Sequence, residues 1–500
     1  MQTSIGTVSF IGISAIEIEV QVQVLNGLPA FTIVGLPDKA VAESRERIRA
    51  AFFSMGIALP PKRITVNLAP ADVQKEGSHY DLPIALALLA AMEIISPEDI
   101  CNAVALGELS LNGSINAVSG ILPAAMFAKS HGKSLICPEA CAQEAIWAGE
   151  NKILAPKNLI EMVNHFKGTQ VLPKIALNAP LSQQAKHYGC FSEVKGQLMT
   201  KRALEIAAAG AHNVLMLGPP GVGKSLLASR IPGILPTMTP EEALDVTIIH
   251  SLAGQINSSG LVMERPYRAP HHSASLASLV GGGINAKPGE ISLAHRGILF
   301  LDELPEFSRA ALEALRQPLE TGNVTVARAN HHITYPARIQ LIAAMNPCRC
   351  GYLGNPAREC TRAPKCGKEY LQKISGPLLD RIDIFIDVPD VTVDDFTRNV
   401  AEEEKSENIK KRVTQVREIQ AARYREKNYR TNAEALGNEL ESYLDGEAKD
   451  LLYSCVNKTK ISARGYYRVI KLARTIADLA QSEQIKTDHV SEALGYRRII

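Results

Sequence analysis

A glycine-rich stretch at residues 218–225 has the residue types and spacing that bind a phosphate chain. It reads Gly218-Pro219-Pro220-Gly221-Val222-Gly223-Lys224-Ser225 and matches the pattern G-x-x-x-x-G-K-[ST] at every fixed position. Glycines allow backbone N–H groups to surround a phosphate, and Lys224 can reach the outer phosphates. Because the Ser225 hydroxyl can bind magnesium, the stretch predicts a site for ATP and Mg²⁺.

Two carboxylates follow an apolar run at residues 297–303, which reads GILFLDE. We expect Asp302 to hold the magnesium shell and Glu303 to polarise the attacking water. Acidic residues are common where strands end, so this signal becomes specific only together with the glycine-rich stretch. Asn346 follows another apolar run, and its side chain can contact the γ-phosphate or the water.

Four cysteines, Cys348, Cys350, Cys360 and Cys366, lie within 19 residues among glycines and prolines. Four thiolates suit a tetrahedral zinc ion, so the cluster predicts a structural Zn²⁺ site. The spacing differs from the commoner paired C-x-x-C form, and reduced thiols without a metal are the alternative.

The amino-acid composition is that of an ordinary globular protein, with 46% hydrophobic and 21% charged residues. A formal charge of +2 argues neither for nor against binding to nucleic acid. No run approaches the roughly 18 apolar residues of a membrane span, and residues 1–9 carry no basic n-region. We therefore expect a protein with no membrane partner, in the reducing cytoplasm.

Hydrophobic periodicity predicts the elements that position these residues. Residues 214–217 are a short apolar run, typical of a buried parallel strand, and a helix is expected after Ser225. Residues 324–344 contain two β-prone runs around a polar tip, which predicts a hairpin followed by a core strand. Strands are also predicted at 15–25 and 64–68, helices at 39–53, 81–92 and 440–500, and a charged, solvated helix at 400–429.

The order of the motifs resembles the magnesium-chelatase-like branch of the AAA+ ATPases. The glycine-rich stretch is followed by LFLDELPEF, the hairpin, AAMNPC and GPLLDRIDI. Residues 66–77 and 106–125 resemble the Lon protease catalytic domain, a relative of the ribosomal S5 fold. Together these features resemble the YifB/ComM family over essentially the whole chain.

The resemblance implies an α/β chain of three domains. A Lon-protease-like (ribosomal S5-like) α+β domain is expected at residues 1–170, and a proline-rich linker at 171–189. An AAA+ P-loop ATPase domain with a parallel sheet is expected at 190–398, and a C-terminal helical lid at 399–500.

The resemblance also implies roles for single residues. Asn346 corresponds to sensor 1, and Arg381 to an arginine finger that reaches into a neighbouring subunit's site. A local salt bridge with Asp380 or Asp383 is the alternative for Arg381. In the lid, Arg464 is implied to contact the γ-phosphate, with Arg468 and Arg474 as alternatives. A trans-acting arginine requires an oligomer, and the family implies a homo-hexamer.

The Lon-like resemblance raises the question of a peptidase. In Lon-type peptidases a serine lies two places beyond the glycine that Gly77 resembles, but here that place is His79, with Ser78 beside it. The partnering lysine would fall near Leu122, where no lysine stands. Because a serine nucleophile needs an adjacent base, we expect no Ser-Lys dyad.

The resemblance implies a motor that moves DNA, by branch migration or helicase action during uptake and recombination, with recombination proteins as further partners. Two other classes stay open: a metal-insertion motor of the magnesium chelatase type, and an ATP-dependent peptidase or unfoldase. Unselective binding to DNA phosphates calls for exposed polar and basic side chains. The hairpin and the inserted segment at 265–289 offer Arg265, Arg268, His271, His272, Arg328, Asn330, His331, His332 and Arg338. Ordinary turn residues or inter-subunit contacts are the alternative reading.

Overall fold

The computed structural model describes residues 2–149, 152–176, 188–256, 260–282, 286–327, 332–353, 360, 362–390, 403–459 and 462–497. Most of the predicted linker at 171–189 therefore lies outside the described residues, as does the hairpin tip at 328–331.

The amino-terminal part folds around a seven-stranded sheet. Its two longest strands, Gln2–Ile11 and Ser14–Leu25, pair antiparallel, with Ile5 opposite Val20. The apolar helix Asp81–Ala91 packs on them, and every one of its residues is buried. In sheet order the strands are Ala30–Val34, Arg63–Ala69, Ser14–Leu25, Gln2–Ile11, Ala103–Ala105, Ser134–Ile136 and Ile153–Leu154.

Helices Lys39–Ser54, Asp81–Ala91, Ile121–Ser130, Ala142–Ile146 and Leu159–Phe166 complete this part, with a small two-stranded sheet of Glu108–Leu109 and Ile115–Asn116. The strands predicted at 15–25 and 64–68 and the helices predicted at 39–53 and 81–92 are confirmed.

A five-stranded parallel sheet forms the centre of the second part, in the order Tyr267–Arg268, Ile298–Leu301, Gln340–Met345, Val214–Leu217 and Ile384–Asp387. The three middle strands are entirely buried, which explains their continuous apolar sequences. Because parallel strands end at one edge, the residues after Leu217, Leu301 and Met345 are brought together there.

The predicted hairpin is confirmed. Strands Asn323–Ala327 and His332–Pro336 pair antiparallel, and Val324, Val326, Ile333 and Tyr335 are buried against the second part's core. Three residues separate its second strand from Gln340–Met345. The inserted segment contributes Leu276–Val280 and a short two-stranded sheet of Gly281–Gly282 and Lys287–Pro288. The remaining helices of this part are Leu198–Gly210, Lys224–Arg230, Pro240–Leu252, Glu290–Leu293, Arg309–Ala314, Arg316–Thr321, Lys365–Leu371 and Gly376–Leu379.

The carboxy-terminal part is helical, with Ser406–Arg423, Gly437–Leu440, Gly446–Thr459, Ala463–Leu479 and Thr487–Gly495. The charged helix predicted at 400–429 is confirmed over Ser406–Arg423, and its fully buried residues are all uncharged. Ile409, Val413 and Val416 are buried and pack toward helix Leu198–Gly210, because they recur at i, i+4 and i+7 among the charges. Within the described residues, no helix is both long and apolar enough to cross a membrane.

The first and second parts touch directly. The Oε1 atom of Glu144 accepts hydrogen bonds from Leu122 N (2.8 Å) and from the hydroxyl of Ser251, which lies on helix Pro240–Leu252. The turn at Gly12 lies so close to the hairpin that an added Cβ would be 3.0 Å from the carbonyl oxygen of Thr334. The amino-terminal sheet is therefore in contact with the hairpin.

Candidate nucleotide site

The glycine-rich loop joins strand Val214–Leu217 to helix Lys224–Arg230. Gly221 and Gly223 have φ angles of +89° and +90°, a region that side chains other than glycine rarely adopt. The motif therefore has the strand–loop–helix setting that phosphate binding requires.

Lys224 is held inside this loop. Its ammonium donates to the carbonyl oxygens of Gly218 (2.7 Å) and Pro219 (2.8 Å), and to Oδ1 of Asn346 (3.1 Å). Burial lowers the pKa of Lys224, while the charges of Asp302 and Glu303 oppose that shift. The structure thus brings the predicted lysine and the predicted sensor residue into contact.

The magnesium ligands expected from the sequence also meet. The Ser225 hydroxyl donates to Oδ2 of Asp302 at 2.5 Å, and Oδ1 of Asp302 accepts from the backbone N–H of Glu303 at 2.9 Å. A hydroxyl and a carboxylate are hard oxygen donors, which suit Mg²⁺ beside phosphates. The residues present therefore fit the ion.

Glu303 adopts a left-handed backbone conformation, with φ of +51°, and its side chain is half exposed. Nδ1 of His272 lies 3.6 Å from its Oε2 atom. The imidazole of His272 also stacks against His271, with 4.0 Å between ring centroids. The inserted segment, in which we predicted DNA contacts, therefore places His272 beside the expected general base.

Arg381 does not form the local salt bridges that were its alternative role. Its Nη2 atom contacts Oε2 of Glu320, and its Nη1 atom donates to the carbonyl oxygen of Pro377 at 2.7 Å. The side chain is only 6% exposed. Asp383 pairs instead with Arg468, and Asp380 lies 3.9 Å from Arg497.

Of the three arginines considered as γ-phosphate contacts, Arg464 is the one whose guanidinium is accessible to a ligand. Its side chain is 64% exposed, and Nη2 lies 3.6 Å from Oε1 of Glu320. Arg468 is paired with the buried Asp383. Arg474 is fully buried and bonds to Asp478 and to the carbonyl oxygens of Ser482 and Glu483.

Three of the four cysteines of the predicted metal site converge. The Sγ atoms of Cys348, Cys360 and Cys366 all lie within 4.8 Å of one another, and Cys350 Sγ is 3.2 Å from Cys348 Sγ. Three thiolates at such separations can bind one ion at Zn–S distances of about 2.3 Å, and Cys350, beside Cys348, is the candidate fourth ligand. The thiols therefore fit zinc.

The loop that carries these cysteines packs on the glycine-rich loop. A Cβ added at Gly351 would lie 2.6 Å from Cδ of Pro220. Cys348 also follows Asn346 by only two residues, so the cysteine cluster adjoins the nucleotide site on two sides.

Arg265, which is predicted to contact DNA, is engaged within the chain. Its guanidinium donates to the carbonyl oxygens of Pro236 and Arg296 and to Glu242, each at 2.8 Å, and its side chain is 15% exposed. Arg268 is engaged in the same way, because both Nε and Nη2 bond to the Glu290 carboxylate at 2.6 Å. The DNA role of both arginines stays a prediction. These arginines stabilise the inserted segment.

The other DNA candidates are placed differently. Arg338 donates to the carbonyl oxygen of Asn428 (3.1 Å) and lies 3.5 Å from Glu434, so it joins the second part to the carboxy-terminal part. Arg328, Asn330 and His331 lie outside the described residues.

Ser78 and His79 do not form a peptidase pair. The Ser78 hydroxyl contacts Glu108, and Nε2 of His79 lies 3.0 Å from the carbonyl oxygen of Val8. Burial lowers the pKa of His79 to about 4. These contacts engage Ser78 and His79 with other residues, and the absence of a Ser-Lys dyad stays a prediction.

Two side chains at this site were not predicted from the sequence. His272 was assigned to DNA, and Glu320 was not singled out because it resembles any other glutamate on a helix. The only local signal was its position just before Thr321 and Gly322, where the hairpin begins. Both interactions join segments that are distant along the chain.

Comparison with known families covers nearly all of the chain. The family model described as "Magnesium chelatase, subunit ChlI" matches residues 190–396. "Subunit ChlI of Mg-chelatase" matches residues 20–141, and "Magnesium chelatase, subunit ChlI C-terminal" matches residues 403–497. A weaker similarity, 24% identity over 41% of this chain and 20% of the relative, links it to DNA replication licensing factor mcm6 of Dictyostelium discoideum.

Full-length relatives are closer. The chain is 42% identical to Competence protein ComM of Haemophilus influenzae, over 98% of this chain and 96% of the relative. It is 41% identical to the uncharacterized protein YifB of Salmonella typhimurium, over the same shares of the two chains. With the glycine-rich loop, Asp302 and Asn346 at one edge of a parallel sheet, the chain belongs to the YifB/ComM family of magnesium-chelatase-like AAA+ ATPases.

Proposed function

We propose that this ATPase is a hexameric ring motor that acts on DNA, as a branch-migration helicase in natural transformation or homologous recombination. One observation carries the proposal: the hairpin is joined to the strand that ends at the nucleotide site. Ala337 N donates to the carbonyl oxygen of Gly322 (2.7 Å) at the hairpin base, and three residues later Gln340–Met345 leads to Asn346. A shift of Asn346 would therefore reach the hairpin through a short, hydrogen-bonded connection.

The residues at the sheet edge support hydrolysis. A water oxygen attacks the γ-phosphorus, and the bond to the oxygen that bridges the β- and γ-phosphates breaks. Glu303 would accept the proton of that water, while Lys224 and Asn346 would hold the γ-phosphate. Mg²⁺, held by Ser225 and Asp302, would supply positive charge to the phosphate oxygens. Arg464 would contact the γ-phosphate from the lid.

Arg381 would complete the site of the neighbouring subunit. An arginine that acts in trans implies a head-to-tail contact, which closes into a ring. The names of two relatives support a role in DNA metabolism, since one is a competence protein and the other a replication licensing factor. Each subunit would consist of a Lon-like domain at 1–170, a linker, an ATPase domain at 190–398 and a lid at 399–500.

Within this motor we propose one structural zinc ion, bound by Cys348, Cys350, Cys360 and Cys366. The contact between Gly351 and Pro220 supports a role in fixing the loops around the nucleotide. The ion would take no part in the chemistry.

A metal-insertion motor is the second candidate, because all three matching family models are named for magnesium chelatase. We do not propose a peptidase, since Ser78 and His79 are engaged elsewhere. ATPase rates with single-stranded DNA, duplex DNA, a porphyrin and an unfolded protein separate these classes. We expect several-fold stimulation by DNA alone. Stimulation by the porphyrin alone would replace the DNA motor with the metal-insertion motor.

The hairpin tip should hold DNA through phosphate contacts. Arg328→Ala should weaken DNA binding and reduce the slope of log affinity against log salt by about 1, whereas Arg45→Ala, a change at an exposed arginine of helix Lys39–Ser54, should not. Measurements at several salt concentrations test this. Unchanged affinity and slope in Arg328→Ala would remove the tip from the DNA path.

A further inference from the structure

Glu320 is the common partner of Arg381 and Arg464, the two arginines that are proposed to contact the γ-phosphate of ATP. One oxygen of its carboxylate contacts Nη2 of Arg381, and the other lies 3.6 Å from Nη2 of Arg464. The hydrogen bond from Arg381 lowers the pKa of Glu320. The proposed trans-acting arginine and the proposed lid arginine thus meet at one carboxylate.

Arg381 depends on this carboxylate. Its side chain is 6% exposed, and among the described residues its Nε atom is buried without a hydrogen-bond partner. Glu320 is the acid that neutralises its charge here. A buried guanidinium leaves its carboxylate at low cost only when another anion takes that place. The γ-phosphate of ATP is such an anion.

Glu320 also belongs to the element that begins the hairpin. It lies on helix Arg316–Thr321, and the first hairpin strand starts at Asn323. From that helix, Gln317 Nε2 donates to the hydroxyl of Thr325 in the strand at 3.0 Å. Gly322 between them packs tightly, since an added Cβ would lie 2.7 Å from Cγ of Arg338. Helix and hairpin are therefore joined closely.

We propose that Glu320 is a positioning residue that holds Arg381 and Arg464 while no ATP is bound, and exchanges them for the γ-phosphate when ATP binds. The loss of both arginines from the carboxylate would release helix Arg316–Thr321 and, with it, the base of the hairpin. ATP bound at the sites that these two arginines reach would act on one hairpin through one residue. This inference rests on the proposed ATPase roles of the two arginines.

The exchange of Glu320 for the γ-phosphate predicts a change in nucleotide affinity that a purely structural salt bridge would not cause. If ATP must displace Glu320, then Glu320→Gln should bind a slowly hydrolysed analogue, ATPγS, several-fold more tightly than the wild type. Stimulation of ATPase activity by DNA should fall at the same time, because the hairpin no longer responds to the nucleotide. A structural contact, when removed, lowers stability and does not tighten ATPγS binding.

The matched control is Glu313→Gln, since Glu313 forms a 2.8 Å ion pair with Arg316 near the protein surface, in the preceding helix. This variant should behave as the wild type. Glu320→Asp retains the charge but shortens the side chain, so its ATPγS affinity should lie between those of the wild type and Glu320→Gln. It also serves as the test variant if Glu320→Gln does not fold.

ATPγS affinity that is unchanged or weaker in the folded variant overturns the inference. The affinity measurement requires no DNA, so it remains decisive even if DNA does not stimulate the wild type, a result that would count against the proposed DNA motor alone. Tighter ATPγS binding with normal DNA stimulation would retain the exchange at Glu320 but refute its link to the hairpin.

Discussion

Lys224 illustrates how single residues are prepared for nucleotide binding. Its ammonium is bonded to two carbonyl oxygens of its own loop and to Asn346. These oxygens are weaker partners than the phosphates of ATP, because the bonds to phosphate are charge-assisted on both sides. These contacts hold the lysine in the glycine-rich loop, from which its ammonium can reach phosphate oxygens.

Lys224 and Glu303 should have separable effects on activity. Lys224→Ala should lose ATP binding and hydrolysis together, because the charge that holds the phosphates is removed. Glu303→Gln should bind ATP but hydrolyse it about 100-fold more slowly or worse, since the amide cannot accept the proton. Equilibrium binding and steady-state ATPase assays measure both. Glu447→Gln, at an exposed glutamate, is the control, and wild-type turnover in Glu303→Gln would exclude that carboxylate as the base.

At the scale of elements, one buried ion pair joins the lid to the sheet. Arg468 on helix Ala463–Leu479 contacts Asp383, which directly precedes strand Ile384–Asp387. Asp383 also accepts from Asn213 N at 3.0 Å. Burial alone would raise the pKa of Asp383, but the charge of Arg468, the nearby imidazole of His212 and the hydrogen bond from Asn213 lower it well below its ordinary value. The ionised form is therefore favoured by folding.

Asp383→Asn should lower the free energy of unfolding by about 3 kcal/mol at pH 7, because it leaves Arg468 without its buried partner. The pKa of Asp383 is lower in the folded state, so its contribution is complete above pH ~4 and is lost as the pH falls further. Urea titrations at pH 7 and pH 3 should therefore show a smaller difference between variant and wild type at pH 3. Asp450→Asn, an exposed change in the lid, is the control. Equal stability of Asp383→Asn and wild type at pH 7 would contradict this account.

The cysteine cluster also connects two elements, because it brings the loop after Asn346 into contact with helix Lys365–Leu371. Elemental analysis should find about one zinc per chain. Cys366→Ser should lose most of the metal, while Cys101→Ser, at an exposed cysteine outside the cluster, should keep it. Removal of the metal should also weaken ATP binding, because the cluster adjoins Pro220. Protein purified without zinc, fully folded and with four freely reactive thiols, would refute the site.

At the scale of the whole molecule, the amino-terminal part is in contact with the second part. Glu144 joins Leu122 to Ser251, and the turn at Gly12 lies against the hairpin strand at Thr334. Burial raises the pKa of Glu144, although its hydrogen bonds oppose that shift. The first part is thus placed to support the hairpin base as well as the helix Pro240–Leu252.

The proposed ring predicts complementation between inactive subunits. Arg381→Ala and Lys224→Ala proteins should each be inactive alone. Mixed together, they should regain part of the ATPase activity, because some interfaces then combine an intact Lys224 site with an intact Arg381 from the neighbour. The assay is ATP turnover after subunit exchange, with Glu447→Gln mixed with Lys224→Ala to establish that exchange occurs. Complete absence of recovery under those conditions would argue that Arg381 does not act in trans.

The sequence by itself determined the features that depend on local spacing. The glycine-rich loop, the apolar strand before Asp302 and the hairpin at 324–337 were all predicted correctly, because short-range steric and hydrophobic patterns specify them. The convergence of Lys224, Ser225, Asp302 and Asn346 also followed, since parallel strands end at a common edge.

Only the tertiary structure decided how charged side chains are paired. Arg265 and Arg268 were predicted as DNA contacts because the inserted segment is rich in basic and polar residues. In the structure, Glu242 and Glu290 neutralise their charges. Likewise, Arg381 meets Glu320, 61 residues earlier in the chain. The residue type alone does not reveal whether an arginine faces solvent or pairs with a buried carboxylate. Its partner is set by the packing of distant segments, because leaving a charge buried and unpaired costs more than any local preference supplies.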